Sequence, residues 1–260
     1  GAPNVRAGMK SPFAPAGTKL PNGMKLRTSK IRGVVSNGML CSAIEIGLGD
    51  ESDGIVELPF DAQPGQSLTE CLDLPDCTFD LDLTPNRGDC FSVLGIARDV
   101  SAVTSTPMKG PTVKAVPATI DDEHPVELVY PEGCPRFAAR VVRNIDISAE
   151  SPIWIKERLR RSGLRSIHPV VDVTNYVMLE LGQPLHAYDL GLLNGPVRPR
   201  LAKKGEKLTL LDEKEVELLP NTLVITDDSG PIGMAGIMGG LSTAVTDKTS
   251  DIFFEAAFFT

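Results

Sequence analysis

VVDVTNYVMLELGQPLHAYD, residues 170–189, opens on β-branched apolar residues and ends on the turn-forming Gly182-Gln183-Pro184 and a histidine. We read HPVVDVTNYVMLELG, from His168 to Gly182, as a strand running into a helix, which places Thr174 and Asn175 where the strand ends. Polar residues at that point commonly carry sites in α/β folds. His186 follows Pro184 and precedes Asp189, and it is one of three histidines in the chain. A lone histidine is more often structural than functional; Thr174 and Asn175 nearby keep a functional reading open.

Moving outward, SPIWIKERLRRSGLR (151–165) reads as an amphipathic helix, with Ser151 as N-cap, Pro152 in the first turn and Gly163 at the exit. CPRFAARVVRNIDI, EKLTLLD, NTLVITD and DIFFEAAFF read as strands. Further upstream, CTFDLDLTPNRGDC (77–90) alternates Phe79, Leu81 and Leu83 with Asp80 and Asp82, the pattern of a half-buried strand. Asp89 can then cap a helix over CFSVLGIARDVSAVTST, with Val93, Ile96, Ala97 and Val100 as its apolar stripe. The first 66 residues are rich in Gly and Pro between short apolar runs, and Asn22-Gly23 stands where a hairpin would turn. The expected class is therefore α+β and multidomain, with boundaries at 1–66, 67–118 and 119–260.

Composition narrows the classes. The chain is 42% hydrophobic and 23% charged over 260 residues, enough to bury a core in two or three domains. No run approaches the length of a membrane-spanning helix and no secretory signal opens the chain, so neither membrane nor export is expected. GAPNVRAG at the start and FFEAAFFT at the end read as cuts from a longer polypeptide. Five scattered cysteines without a CxxC predict free thiols, no metal site and a reducing cytoplasm. A net charge of −8 argues against a basic footprint over the whole surface. Local positive zones remain: Lys19, Lys25, Arg27, Lys30 and Arg32 in the first block, and Lys156, Arg158, Arg160, Arg161 and Arg165 on the predicted helix. Each zone reads either as a solvated face or as a phosphate contact, and Arg87 either as a loop ion pair or as an RNA contact.

GPIGMAGIMGG (230–240) lacks the Lys-Ser/Thr of a phosphate loop and no helix evidently follows it. It reads as tight turns, or as a pocket wall of bare amides. Glu255 stands amid four phenylalanines in IFFEAAFF, either buried beside a donor at a cavity or turned to solvent. No Ser, Cys or Lys nucleophile accompanies these stretches, so a positioned water suits the site better than a covalent intermediate.

In order along the chain, LRTSKIRGVVSNGMLCSAIEIGL, DLTPNRGDCFSVLGIARDVSA, LRRSGLRSIHPVVDVTNYVMLELGQPLHAYD and FFEAAFF closely resemble the β subunit of bacterial-type phenylalanyl-tRNA synthetase. The resemblance implies the later part of an OB-type tRNA-binding barrel in 1–66, a small α/β domain in 67–118 and a mixed α/β editing domain in 119–260. It implies a cytoplasmic (αβ)2 heterotetramer binding tRNA(Phe). The α subunit would carry aminoacylation with ATP and Mg2+, leaving no cofactor in this chain. It further implies hydrolysis of mischarged Tyr-tRNA in a pocket of Thr174, Asn175, His186, Ala235, Gly236, Gly239 and Glu255. Lys25, Arg27, Lys30 and Arg32 would contact RNA. A non-catalytic RNA-binding or assembly module sharing these folds is the rival expectation, with His186 and Glu255 merely structural.

Overall fold

The structure, a computed structural model, describes residues 2–49 and 52–260. Its strands are β1 (Phe13–Pro15), β2 (Ser29–Ile31), β3 (Val34–Ser36), β4 (Gly38–Leu40), β5 (Arg136–Val142), β6 (His186–Asp189) and β7 (Arg198–Leu201). They continue as β8 (Lys207–Thr209), β9 (Glu215–Glu217), β10 (Leu223–Asp227), β11 (Gly230–Met234), β12 (Met238–Gly239) and β13 (Ile252–Phe258). The helices are α1 (Ala43–Ile46), α2 (Leu68–Cys71), α3 (Val93–Thr104), α4 (Ile153–Arg161) and α5 (Pro169–Leu181). Helix and sheet are thus mixed, in two compact units: residues 1–80 with 151–166, and residues 81–150 with 167–260.

In the first unit β1 pairs with β4, and β2 with β3 across Arg32 and Gly33, both at positive φ. Two successive left-handed residues make the twist of this turn match that of the strands it joins. The expected turn at Asn22-Gly23 is also present: Gly23 N donates to Leu20 O at 2.9 Å and Leu20 N to Met24 O at 2.8 Å. A small core of Ala14, Leu20 and Cys41 holds these pieces, supported by Leu26, Met39 and Ile46. Helix α4 begins one residue later than expected, with Pro152 as N-cap. Gly163, at φ 78°, leaves the helix as predicted.

The second unit is built on two antiparallel sheets, ordered β5-β13-β6 and β12-β11-β10-β7. Tyr188 and Phe253 of the first and Ile225 and Ile232 of the second share one buried cluster with Val197. Each large apolar side chain in it contributes roughly 1.5–3 kcal/mol by leaving water. Around them pack Phe137, Val141, Ala235 and Phe259, so Phe253 of the final strand and Phe259 just beyond it help to close this core. A second cluster, of Ala202, Leu208, Leu210, Leu218 and Val224, lies under the β8–β9 hairpin.

Three expectations are corrected. The stretch 168–182 contains no strand: Thr174 and Asn175 lie inside α5. Capping decides it, because His168 Nδ1 accepts from Val170 N, Pro169 occupies the first turn, and Asp172 Oδ1 accepts from Ile167 N at 2.9 Å. These start signals outweigh the modest helix aversion of the β-branched residues. Residues 79–83 form no strand either; with no partner to pair with among the described residues, Phe79 and Leu81 remain exposed. Ser92, not Asp89, caps α3, accepting from Gly95 N at 2.9 Å. Asp89 is drawn instead to Arg87, and Val93 and Val100 of the expected stripe stay exposed.

Candidate functional site

The strand β13 sits at the centre of its sheet, with Glu255 opposite Ala139 on β5 and opposite His186 on β6. Side chains two apart on a strand share a face. His186 and Tyr188 therefore stand together, beside Glu255 and Phe253. Glu255 is 6% exposed, so its carboxylate is largely withdrawn from bulk water. Its partner is Tyr188, whose hydroxyl donates to Oε2 at 2.5 Å in a buried contact. No other described residue bonds to this carboxylate, which leaves Oε1 without a donor. Burial lifts the Glu255 carboxyl to about 7, against the opposing pull of the Tyr188 hydrogen bond. The Tyr188 hydroxyl is itself pushed well above its ordinary range by burial and then by the neighbouring carboxylate.

His186 meets the edge of the Tyr188 ring at 4.5 Å between centroids. Burial pushes its imidazole down to about 4, so the ring is neutral near pH 7. Its Nε2 is buried without a hydrogen-bond partner among the described residues. Directly beyond that ring lies Gly239: a Cβ there would stand 2.4 Å from Cε1 and 2.6 Å from Nε2. Glycine is required for this close approach. Gly239 belongs to β12, joined to β11 through the turn containing Ala235 and Gly236, and Gly236 has φ 68°. Ala235 and the ring of Phe259 both pack against the Tyr188–Phe253 cluster.

The structure thus gathers His186, Gly239 and Glu255, with Ala235 and Gly236 on the adjoining turn. Thr174 and Asn175 lie on a different element and share no hydrogen bond with this group; the Thr174 hydroxyl donates back to Val171 O at 2.8 Å. A surface cleft of about 180 Å3 is lined by Ala138, Ala139, Arg140, Leu185, Phe254, Glu255 and Ala256. By strand alternation Phe254 and Ala256 point away from the Tyr188 side, so the cleft borders Glu255 from the opposite face of the sheet. Of the seven residues expected to form one pocket, only Glu255 borders this cleft.

Sequence reasoning passed over Tyr188 and Cys134. The first was legible, since HAYD puts it two residues from His186 and hence on the same face. Cys134 is fully buried; burial and then proximity to Glu255 push its thiol up, and no sequence signal announced it. Elsewhere, Lys25, Arg27, Lys30 and Arg32 are exposed, and none joins an ion pair among the described residues. Arg87 is a loop ion pair, bonded to Asp89 and to Asp99. On α4, Arg160 and Arg161 are held by the buried Glu157, Arg161 also by Asp76, and Arg158 lies over the Trp154 ring. Most of that basic face is engaged within the first unit.

Comparison with known proteins bears on these two regions separately. Residues 133–260 match the family described as "B3/4 domain", and residues 1–67 the one described as "Putative tRNA binding domain". Along its whole length the chain is 52% identical to the phenylalanine–tRNA ligase beta subunit of Pseudomonas fluorescens, covering 33% of that protein. Identity to the beta subunit of Coxiella burnetii is 54%, with the same coverage. The chain belongs to the phenylalanine–tRNA ligase beta-subunit family. It spans about a third of the length of these beta subunits. A solved N-terminal fragment of the Pyrococcus horikoshii phenylalanyl-tRNA synthetase beta subunit is similar over 67% of this chain and 53% of its own, at 15% identity and a TM-score of 0.40. The His186–Glu255 group therefore lies in the B3/4 portion of this beta-subunit segment, and Lys25, Arg27, Lys30 and Arg32 lie in its tRNA-binding portion. Among the described residues no helix is long and apolar enough to cross a membrane.

Proposed function

We propose that this segment contributes tRNA binding and proofreading to a phenylalanine–tRNA ligase, hydrolysing the ester of mischarged Tyr-tRNA(Phe). The observation that carries this reading is Glu255: a buried carboxylate that already accepts from one phenol and has a second oxygen without a donor. Tyrosine differs from phenylalanine by one hydroxyl, which a pocket shaped for phenylalanine cannot strongly refuse. A second site built to hydrogen-bond that hydroxyl discriminates far better, because phenylalanine leaves its polar partner unpaired. Glu255 Oε1 takes the substrate phenol, and the aromatic surface of the final strand holds the ring.

Hydrolysis then needs a positioned water and donors for the developing oxyanion. The Gly236 and Gly239 backbone supplies the second need. An imidazole held down to about 4 is a poor proton acceptor at neutral pH, so His186 serves through its unpartnered nitrogen as a neutral hydrogen-bonding group for water or the terminal ribose. Thr174 and Asn175 enter only as the wall supplied by α5, orienting the α-amino group or the water. Along the chain, residues 1–66 form the later part of an OB-type barrel, 67–118 the small domain and 119–260 the editing domain. Lys25, Arg27, Lys30 and Arg32 meet the phosphate backbone. The complete protein pairs with an α subunit in a cytoplasmic (αβ)2 tetramer, and the α subunit performs ATP- and Mg2+-dependent aminoacylation. Among the described residues no three acidic, histidine or cysteine side chains gather to hold a metal ion.

The test is deacylation of purified Tyr-tRNA(Phe) and Phe-tRNA(Phe) by the complete ligase carrying this beta chain. Preferential release of tyrosine, abolished by Glu255→Ala, supports the reading. Background rates on both substrates would mean that these residues serve binding or assembly alone.

A further inference from the structure

We propose that Tyr188 is a positioning residue for Glu255: its buried hydroxyl pins one carboxylate oxygen and leaves the other as acceptor for the substrate phenol. The inference rests on the proofreading reading above and adds to it a residue that sets the discrimination.

Three observations carry it. The Tyr188 hydroxyl donates to Oε2 at 2.5 Å, and Tyr188 is 1% exposed, so water cannot substitute for it. The tyrosine ring packs against two others, His186 at 4.5 Å and Phe253 at 6.0 Å between centroids. The hydroxyl is therefore placed by packing rather than by the carboxylate it serves. Finally, Oε2 has this single donor among the described residues, so its orientation depends on one bond.

A purely structural Tyr188 would need only its ring, which phenylalanine supplies equally. The hydroxyl does something the ring cannot: it stabilises the ionised form of a carboxyl that burial drives toward protonation. An ionised Oε1 makes a stronger, charge-assisted bond with a phenol and leaves a costlier unpaired group beside phenylalanine. A protonated Glu255 discriminates less on both counts. The groups facing it are Tyr188 and His186 on β6 and Cys134 before β5, while its β5 neighbour Ala139 is uncharged. None of them is a cation at neutral pH, so nothing else compensates for the loss of the hydroxyl.

The experiment measures the ratio of Tyr-tRNA to Phe-tRNA deacylation as a function of pH in the complete ligase. In the unmodified enzyme the ratio rises with pH as Glu255 ionises. Tyr188→Phe keeps the ring, lowers the ratio about tenfold at pH 7, the worth of one hydrogen bond to a charged group, and moves the midpoint of the profile upward. Replacing Tyr188 by 3-fluorotyrosine, a nearly isosteric and stronger donor, moves the midpoint downward. This second variant decides the matter should the first fold poorly. A midpoint common to the native and fluorinated enzymes overturns the inference, as does an unaltered ratio in Tyr188→Phe. Glu255→Ala, run alongside, separates the two claims. If it too leaves the ratio intact, the proofreading reading itself fails; if it abolishes the ratio while both Tyr188 variants are silent, only the role of Tyr188 falls.

Discussion

Glu255 and His186 face each other across two strands, and burial moves them in opposite directions. The Glu255 carboxyl is raised from 4.5 to about 7, so its contribution to stability is complete below pH 4.5 and is lost as pH rises through about 7. The His186 imidazole is lowered from 6.5 to about 4, so its contribution is complete above pH 6.5 and is lost as pH falls through about 4. Each swing is about 3 kcal/mol, and the two nearly offset one another between pH 4.5 and 6.5. Removing one exposes the other. In Glu255→Gln, stability relative to the native chain should climb with the Glu255 penalty removed, by about 3 kcal/mol between pH 4.5 and 7. In His186→Gln the difference should have its slope between pH 4 and 6.5, where the native chain alone bears the cost of a neutral histidine. Denaturant titrations across this range check both; differences independent of pH would refute the assignment. Residue-level chemistry was half legible. The sequence marked Glu255 and His186 because a carboxylate among phenylalanines and a rare histidine are conspicuous. It left burial or exposure of Glu255 open, because alternation along IFFEAAFF gives two faces without saying which one another sheet covers.

At the scale of elements, glycines decide how closely strands and helices approach. At Gly239 the obstacle to a Cβ is the His186 ring at 2.4 Å. Gly239→Ala should displace that imidazole, cost roughly 1–3 kcal/mol as an overpacked site, and reduce deacylation more than it reduces tRNA binding. Separation of the His186 and Tyr188 rings in a structure of the variant is the direct check, and an imidazole left in place would count against the argument. At Gly95 in α3 the obstacle is the backbone, with Asp89 O at 2.1 Å from the hypothetical Cβ. Alanine gains about 1 kcal/mol over glycine in a helix interior, but a carbonyl cannot swing aside as a side chain can. Gly95→Ala should therefore lower the melting temperature; a rise would show that the turn at Gly88–Cys90 yields easily. The same turn explains a misplaced cap: Asp89 satisfies both chemistries, but Arg87, held also by Asp99, takes it away from the helix. Sequence proximity could not rank those two partners. Nor could the β-branched run at 170–173 reveal a helix, because propensity was outvoted by His168, Pro169 and Asp172 acting together.

Across the whole molecule, an acidic chain keeps one cluster of unpaired cations within residues 25–32, in its tRNA-binding portion. The net charge of −8 repels a polyanion on average, yet screening limits that repulsion to roughly 8–10 Å at physiological salt. A cluster of unpaired cations can then act locally. Two zones looked alike in the sequence, and the structure distinguishes them: Arg160 and Arg161 of α4 are bound by Glu157 and Asp76, while Lys25, Arg27, Lys30 and Arg32 have no ion-pair partner among the described residues. Ion pairing across elements is a long-range property, which is why composition alone could not rank them. The difference predicts separable effects in the complete ligase. Replacing Lys25, Arg27, Lys30 and Arg32 together by alanine should weaken tRNA binding and flatten the dependence of log affinity on log salt by about 3–4 units, at roughly 0.7–0.9 for each phosphate no longer neutralised. Neutralising Arg160 and Arg161 should instead lower stability, by stranding the buried Glu157 carboxylate, with little change in the salt slope. Binding titrations at several salt concentrations measure the slope, and thermal melts the stability. A slope that the first set leaves unchanged would move the RNA contact away from residues 25–32, and one that the second flattens equally would extend it to α4.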